Sequence, residues 1–353
     1  MEDCSLKKVS IISGIYNVAN FLEEKKLHCI KNQSYNNWEL ILIDDGSTDD
    51  SGIICDKFAK EDQRIRVVHQ ANSGLGVVRN VGLDISTGYY IWFYDVDDEV
   101  NPNLLEYCVS MMERYNTDMM LFGFKAITMY PYHSEENVYM TEKLIENNDT
   151  LRDCFLDSIL FTKYGSGFCP MKFYRRSFIE KYNLRFENLR IQQDEVFNLK
   201  IYPLAQRVYL SPEVLYNYYI YEKGNTRSRF IPNRFDIYVS IRDEFEKLRG
   251  AWSITDPRFE DYLQKRFYQS VDQTLRFNLL HPDCPWSKEE KKNEMDRVMN
   301  HPYTIESMTW AGENIRDWEN MFYFYAYRHR SLAFLSISSS LFTSLRNLKH
   351  KIS

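Results

Sequence analysis

The sequence predicts an α/β fold, a doubly wound and mostly parallel sheet, followed by a helical C-terminal extension. Three observations carry this reading. Over the first hundred residues, short apolar runs alternate with segments of helical spacing, the pattern of βαβ units. Polar clusters follow three of the apolar runs, at the strand ends where an open parallel sheet presents its ligands. After about Pro232, long polar and charged segments keep helical spacing and lose β character.

The elements follow in order. Val9 to Ile12 is a β-rich run stopped by Ser13-Gly14, and Phe21 to Gln33 has helical spacing. Leu40 to Ile43 is an apolar strand stopped by Asp44-Asp45-Gly46-Ser47-Thr48-Asp49, and Ser51 to Lys60 is helical. Ile65 to His69, Leu75 to Ile85 and Tyr89 to Tyr94 continue as strand, helix and strand. Pro102 opens a further helix, with Asp98 or Asn101 as candidate caps. Asp118 to Phe124 is a fifth strand, Thr141 to Tyr182 is mixed, Gln192 to Ala205 is a helix, and Val208 to Tyr221 is a strand-rich aromatic run. The change of texture near residue 232 divides the chain into expected domains 1–231 and 232–353.

Composition bounds the function classes. With 353 residues, 44% hydrophobic and 27% charged, the chain can bury a large core, so wholesale disorder is excluded. A net charge of −6 argues against a globally basic nucleic-acid binder. The seven cysteines are odd in number and contain no C-x-x-C, which argues against a disulfide framework or structural zinc and fits a reducing cytosol. Met1 to Lys8 is polar, unlike a signal peptide, and no run of 18 apolar residues predicts a spanning helix. The expected location is therefore cytoplasmic.

Charge is uneven, however. From Asn320 to Ser353 there is no Asp or Glu, against five Arg and Lys. Within 331–353, Leu332, Leu335, Phe342, Leu345, Leu348 and Ile352 recur mostly at three- and four-residue steps. Such a basic amphipathic helix either lies peripherally on an anionic membrane surface at the inner face or packs on its own domain.

Three clusters carry candidate chemistry. Asp95-Val96-Asp97-Asp98 follows an apolar strand and crowds three carboxylates into four residues, a repulsion that a hard cation such as Mn²⁺ or Mg²⁺ offsets. Such an ion uses one or two carboxylates and completes its shell with phosphates and water. Asp44-Asp45 ends another strand, where a carboxylate is placed to accept the N–H of a uracil ring. Asn72-Ser73-Gly74-Leu75-Gly76 looks like a dinucleotide turn, but the third glycine position holds Arg79 and the motif follows the third strand, so that reading is rejected. Arg79 can instead grip phosphates bidentately. Tyr216, Tyr218, Tyr219 and Tyr221 form either an acceptor floor or sheet packing; Arg227 and Arg229, after the turn at Gly224, form either a closing loop or a solvated turn.

Taken together, Val9-Ser10-Ile11-Ile12 with Tyr16-Asn17, Asp44-Asp45-Gly46-Ser47-Thr48-Asp49, Gly74-Leu75 with Arg79-Asn80, and Asp95-Val96-Asp97-Asp98 resemble the ordered motif set of the family-2 glycosyltransferases. The likeness runs from Val9 to Asn103 and continues more weakly to Arg229, through Lys172 and Gln193-Asp194-Glu195-Val196-Phe197-Asn198. It implies a GT-A fold of two abutting Rossmann-like halves in 1–231. It implies that Tyr16 stacks on the base, Asp45 binds the uracil edge and Arg79 lies near the nucleotide or diphosphate. Asp95 and Asp97 would bind donor and metal, Mn²⁺ or Mg²⁺, with Asp97 the direct ligand, and Asp194 would be the general base. The implied reaction is an inverting transfer of a hexose or N-acetylhexosamine from a UDP-sugar to a saccharide or lipid-linked oligosaccharide, as in polysaccharide biosynthesis.

The sequence departs from the pattern at Gly14, where proline is common, at Val96, where serine is frequent, and at Gln193, where glutamate is usual. The last change removes a negative charge beside Asp194 and makes Glu195 the fallback base. It also motivates a second reading, a non-catalytic glycosyltransferase-like binding partner. A third, a sugar nucleotidyltransferase, needs a basic Gly-rich loop after the first strand, where Ser13 to Asn17 has no basic residue.

Overall fold

The apolar runs become strands β1 (Val9–Ile15), β2 (Trp38–Asp44), β3 (Ile65–His69) and β4 (Tyr90–Phe93). The sheet is completed by β5 (Glu99–Val100), β6 (Met119–Thr128), β7 (Ser134–Val138), β8 (Lys143–Ile145), β9 (Lys172–Arg175) and β10 (Val208–Ile220). The computed structural model describes residues 7–23, 27–130, 132–163, 167–221 and 229–352, without the side chains of 23 and 346–352. The chain divides into two units, Met1–Gly224 and Asn225–Ser353.

In the first unit the strand order is β3-β2-β1-β4-β9-β6-β10-β5, with β7 on β6 and β8 on β10. Strands β3, β2, β1 and β4 are mutually parallel. β9 runs antiparallel between β4 and β6, and β10 is parallel to β6. The carboxyl ends of β1 to β4, β6 and β10 therefore share one edge. The register sets Ile15 beside Asp44 and Asp44 beside His69 there.

Helices cover both faces, as alternation of buried side chains demands. They are α1 (Ala19–Glu23), α2 (His28–Lys31), α3 (Ser51–Glu61), α4 (Leu75–Ile85), α5 (Leu104–Tyr115), α6 (Asn148–Phe155), α7 (Arg176–Lys181) and α8 (Gln193–Ile201). On one face Ile11, Leu40, Leu42 and Trp92 join a core with Ile30 of α2, Phe58 of α3 and Met112 of α5. On the other, α4 lies so close to β1 that a Cβ on Gly82 would come 2.3 Å from Ile12 Cγ2. Phe93 packs edge-on against Tyr174, Phe186 and Phe197, at ring separations of 5.9, 5.0 and 6.0 Å. Aromatic pairs of this geometry contribute about 0.5–1.5 kcal/mol each beyond area burial.

The second unit is helical: α9 (Arg234–Trp252), α10 (Pro257–Asp272), α11 (Lys288–Asn300), α12 (Pro302–Asn314), α13 (Trp318–Arg328) and α14 (Leu332–Ile352). Its starts are written in the sequence. Asp256 caps α10 with Pro257 in its first turn, and Ser287 and Glu290 form a capping box on α11. Phe235, Phe267, Val271, Val298, Tyr323 and Tyr327 belong to its own core.

Several local expectations are corrected. Asn103, not Asp98 or Asn101, is the N-cap residue of α5, although Asn101 Oδ1 accepts from Asn103 N at 3.2 Å. Asp98 is turned toward β10 instead. Of the helix expected over 21–33, Ala19–Glu23 and His28–Lys31 are helical, and 24–26 lie outside the described residues. β5 is only two residues long, and β7 is a polar, mostly exposed strand without apolar alternation; neither was signalled. The tail is helical, but Leu335 and Phe342 are buried within their own unit, Phe342 against Trp318 at 4.9 Å and Tyr323 at 5.5 Å. Arg227 and the Gly224 turn lie outside the described residues. Among the described residues, no helix is long and apolar enough to cross a membrane.

Candidate active site

The loops at the carboxyl edge are bound to one another rather than left as independent solvated turns. After β1, Asn17 adopts a left-handed conformation, φ 53°. Its Oδ1 accepts from Thr48 N at 2.8 Å, and its own N–H donates to Ser47 Oγ at 3.2 Å. Tyr16, beside it, is 43% exposed. A part-exposed aromatic ring beside an anchored loop is suited to stacking.

Asp44 and Asp45 divide the work after β2. Asp44 accepts from Ser47 N at 3.0 Å and from His69 Nδ1 at 2.8 Å. Burial alone would raise its pKa, but these bonds outweigh burial and lower it, while His69 is raised by Asp44 and Asp56. Asp45 is buried and holds the loop after β3. Its Oδ1 accepts from Gln70 Nε2 at 2.8 Å and from Ser73 N and Oγ at 2.9 Å, and its Oδ2 accepts from Gly74 N at 2.8 Å. Gly74 needs its missing Cβ, with φ 95°, to turn this loop into α4. By lone-pair count, Oδ2 retains capacity for one further donor.

Arg79, one turn into α4, is 2% exposed. Its Nη1 donates to Asp194 Oδ1, and its Nη2 donates to Asp95 Oδ1 at 3.1 Å. The guanidinium also lies over the rings of Phe93 and Phe186, 5.6 and 5.3 Å from their centroids. Burial opposes its charge, but Asp194 and Asp95 outweigh burial and drive its pKa up. Sequence reasoning put Arg79 at a phosphate; in the structure its fork is occupied by two carboxylates.

The acidic turn is held by backbone and tyrosines. Ser13 Oγ donates to Tyr94 O at 2.7 Å, and Asp98 N donates to Asp95 O at 3.1 Å. Buried Asp98 accepts from Tyr216 OH at 2.7 Å and from Tyr219 N at 2.8 Å. Asp98 therefore ties the turn to β10, while Asp95 and Asp97 remain half-buried beside it. The Asp95 carboxyl is pushed up to about 6. Burial is the main cause; Arg79 pulls it down, and Asp97 and Asp194 push it up again. Asp95 thus faces two further carboxylates, Asp97 and Asp194, against the single guanidinium of Arg79.

Asp194 is delivered by the first turn of α8, which follows Gln192 in a left-handed conformation, φ 57°. Its Oδ2 accepts from Cys169 N at 3.2 Å. Asn198, one turn on, donates to Asp194 O at 2.8 Å and to Gly167 O at 3.0 Å, and accepts from Tyr174 OH at 2.8 Å. Lys172 is buried beneath, its Nζ donating to Phe168 O, and desolvation lowers its pKa to about 8. Gln193 and Glu195 are both 7% exposed.

Asp95, Arg79 and Asp194 are thus brought together, with Asp97 on the same turn. Tyr16 and Asp45 stand on the neighbouring loops at the same sheet edge. Sequence reasoning missed the Cys169 backbone donor, for which any residue type would serve. It also missed the Asp98 clamp, for which the alternating tyrosines were the available signal. Tyr216 is a buried packing residue, and Tyr219 donates to Glu99 at 3.0 Å and stacks on Tyr221 at 6.0 Å.

A divalent cation passes a chemical test here. Among the described residues, no three His, Cys, Asp or Glu side chains form a ready-made cage. Asp95 and Asp97 do supply hard oxygens beside that single guanidinium, the donor set of an ion that takes its remaining ligands from phosphate and water.

The architecture is the GT-A fold. The crystal structure of Staphylococcus aureus TarS 1–349 in complex with UDP-GlcNAc aligns with a TM-score of 0.62 at 18% identity, covering 96% of this chain and 92% of that one. The family model for glycosyl transferase family 2 matches residues 10–182. The glycosyltransferase EpsJ of Bacillus subtilis is 36% identical over 214 residues, 60% of this chain and 60% of EpsJ. The cholesterol galactosyltransferase of Borreliella burgdorferi is 32% identical over 279 residues, 76% of each chain. The chain belongs to glycosyltransferase family 2. It spans about 60% of the length of EpsJ, the first of these relatives.

Proposed function

We propose that the chain is an inverting, metal-assisted glycosyltransferase. It moves a hexose or N-acetylhexosamine from a UDP-sugar to a hydroxyl of a saccharide acceptor, lipid-linked in the form we favour. The observation that carries the proposal is the Arg79 guanidinium shared by Asp95 and Asp194 at the carboxyl edge of the sheet. TarS, of the same fold, was solved with UDP-GlcNAc, which supports a UDP-sugar donor.

Tyr16 stacks on the uracil, and Asp45 Oδ2 accepts its N–H beside Gly74. Asp97, with Asp95, would hold Mn²⁺ or Mg²⁺, which when bound would supply positive charge to a leaving diphosphate. Asp194 Oδ1 and Oδ2 are fixed by Arg79 and Cys169 N. The carboxylate takes the proton of the acceptor hydroxyl as that oxygen attacks the anomeric carbon. A single displacement inverts that carbon, so an α-linked donor yields a β-glycoside. Arg79 orients Asp194 through the Nη1 bond to Oδ1; it is a positioning residue here. Family membership and the intact Asp95, Asp97 and Asp194 set favour this reading over a non-catalytic partner or a nucleotidyltransferase.

The test is a donor panel. With Mn²⁺ present, UDP should compete for the site at least tenfold better than GDP or ADP, and one UDP-sugar should be slowly hydrolysed without acceptor. Equal, weak competition by all three nucleotides together with no hydrolysis contradicts the proposal.

A further inference from the structure

Helices α13 and α14 each leave an apolar stripe in solvent. On α13 it is Trp318, Met321, Phe322 and Tyr325, one face at i, i+3, i+4 and i+7, with exposures of 37–59%. On α14 it is Phe334, Ile337, Leu341 and Leu345, with exposures of 37–66%. This is not the face that builds the core, since among the described side chains of α14 the buried ones are Leu335, Ser338 and Phe342. The stripes adjoin: the Phe322 and Phe334 rings stack with centroids 6.0 Å apart and planes 23° apart. The spacing continues in the sequence through Leu348 and Ile352. Exposed Ser336, Ser340 and Ser344 lie on another side of the helix. Scattered exposed apolar residues need no explanation; a continuous patch on two adjoining helices does.

Charge selects the occupant. The segment from Asn320 to Ser353 carries five Arg and Lys and no Asp or Glu. A second copy docking through the same patch would bring two copies of the acid-free, basic α14 together. An anionic bilayer offers the opposite sign, and Trp and Tyr are at home at its headgroup level. Neither helix is long and apolar enough to cross a membrane, so the geometry is that of a helix lying in the interface.

We propose that the α13–α14 hairpin seats the protein on an anionic phospholipid surface. The Phe334, Ile337, Leu341 and Leu345 stripe, with Trp318 and Phe322 beside it, enters the acyl boundary. The net positive charge of 320–353 supplies the attraction to the headgroups. This surface belongs to the second unit, and the proposal does not depend on the chemistry of the candidate active site.

The full-length chain is tested by flotation with phosphatidylcholine vesicles with and without 30% phosphatidylglycerol. The same preparations are assayed for UDP binding, which reports on the proposed function separately. Wild type should float with the anionic vesicles, at least tenfold less with the neutral ones, and lose most binding in 0.5 M salt. Ile337→Glu/Leu341→Glu, both surface changes, should cut anionic flotation at least tenfold with the circular dichroism unchanged. Failure of wild type to float overturns the proposal, as does flotation equal to that of the double variant. A dimer in light scattering that the double variant converts to monomer, without lipid binding by wild type, assigns the patch to self-association instead.

Discussion

Asp95 and Asp194 are held by opposite arms of one guanidinium, Nη2 of Arg79 at 3.1 Å from Asp95 Oδ1 and Nη1 bonded to Asp194 Oδ1. The first carboxylate stands at the end of β4 and the second on the first turn of α8. One buried cation therefore fixes the spacing between the side proposed to receive the donor and the side proposed to take the acceptor's proton. Removing the shared guanidinium would strand two carboxylates at once, at a cost of about 3–5 kcal/mol. This makes Arg79 a residue of stability as well as geometry.

The same arrangement sets a pH dependence. The folded pKa of Asp95, about 6, lies above the ordinary 3.8. Between those values the folded protein holds a proton that the unfolded chain has lost, so this contribution to stability falls as pH rises and is unfavourable above 6. Asp95→Asn should therefore be more stable than wild type at pH 7.5, with the gain shrinking toward pH 4. Urea unfolding at the two pH values measures it; a pH-independent difference contradicts the assignment.

The clamp on the acidic turn is testable through Tyr216. Tyr216→Phe removes the hydroxyl that donates to buried Asp98 at 2.7 Å. An under-satisfied buried carboxyl costs about 1–3 kcal/mol. Chemical denaturation should show that loss, and the Mn²⁺-dependent part of UDP affinity should weaken with it. An unchanged midpoint would remove the clamp from the account.

Two glycines should respond in opposite directions. Gly82→Ala pushes a Cβ to 2.3 Å from Ile12 and should destabilise by about 1–3 kcal/mol. Gly250→Ala, near the end of α9 with nothing within 4 Å of the new atom, should stabilise by about 0.5–1 kcal/mol. Thermal melts of the two variants check the sign of each.

Tyr16 tests the base-stacking assignment. It is 43% exposed, so Tyr16→Ala should leave stability near wild type. UDP affinity should fall about tenfold, which corresponds to about 1.4 kcal/mol. Titration calorimetry measures it, and unchanged affinity places the base elsewhere.

The fold was legible where local pattern and tertiary demand agree. Ile65 to His69 and Leu75 to Ile85 match their elements at both ends, because each apolar run is bounded by polar or turn residues. β7 was not legible: Ser134 to Val138 has no buried face to write into the sequence and exists through its pairing with β6. In the site, the carboxylate motifs were readable because crowded charge after a strand has few structural uses. The partner of Arg79 was not, since burial beside Phe93 and Phe186 decides where a guanidinium points, and neither ring is near it in sequence. The two faces of α14 show the same limit. Apolar spacing revealed the helix, but only packing separates Leu335 and Phe342, which are buried, from Ile337 and Leu341, which are not.

The most direct measurement is UDP binding and UDP-sugar turnover, with and without Mn²⁺, on wild type, Asp97→Ala and Asp194→Asn. The account predicts that wild type binds UDP with metal, that Asp97→Ala loses the metal-dependent affinity, and that Asp194→Asn binds UDP as wild type does while turnover falls about 10²–10⁴-fold. Turnover by Asp194→Asn equal to wild type, or metal-dependent binding unaffected by Asp97→Ala, would contradict it.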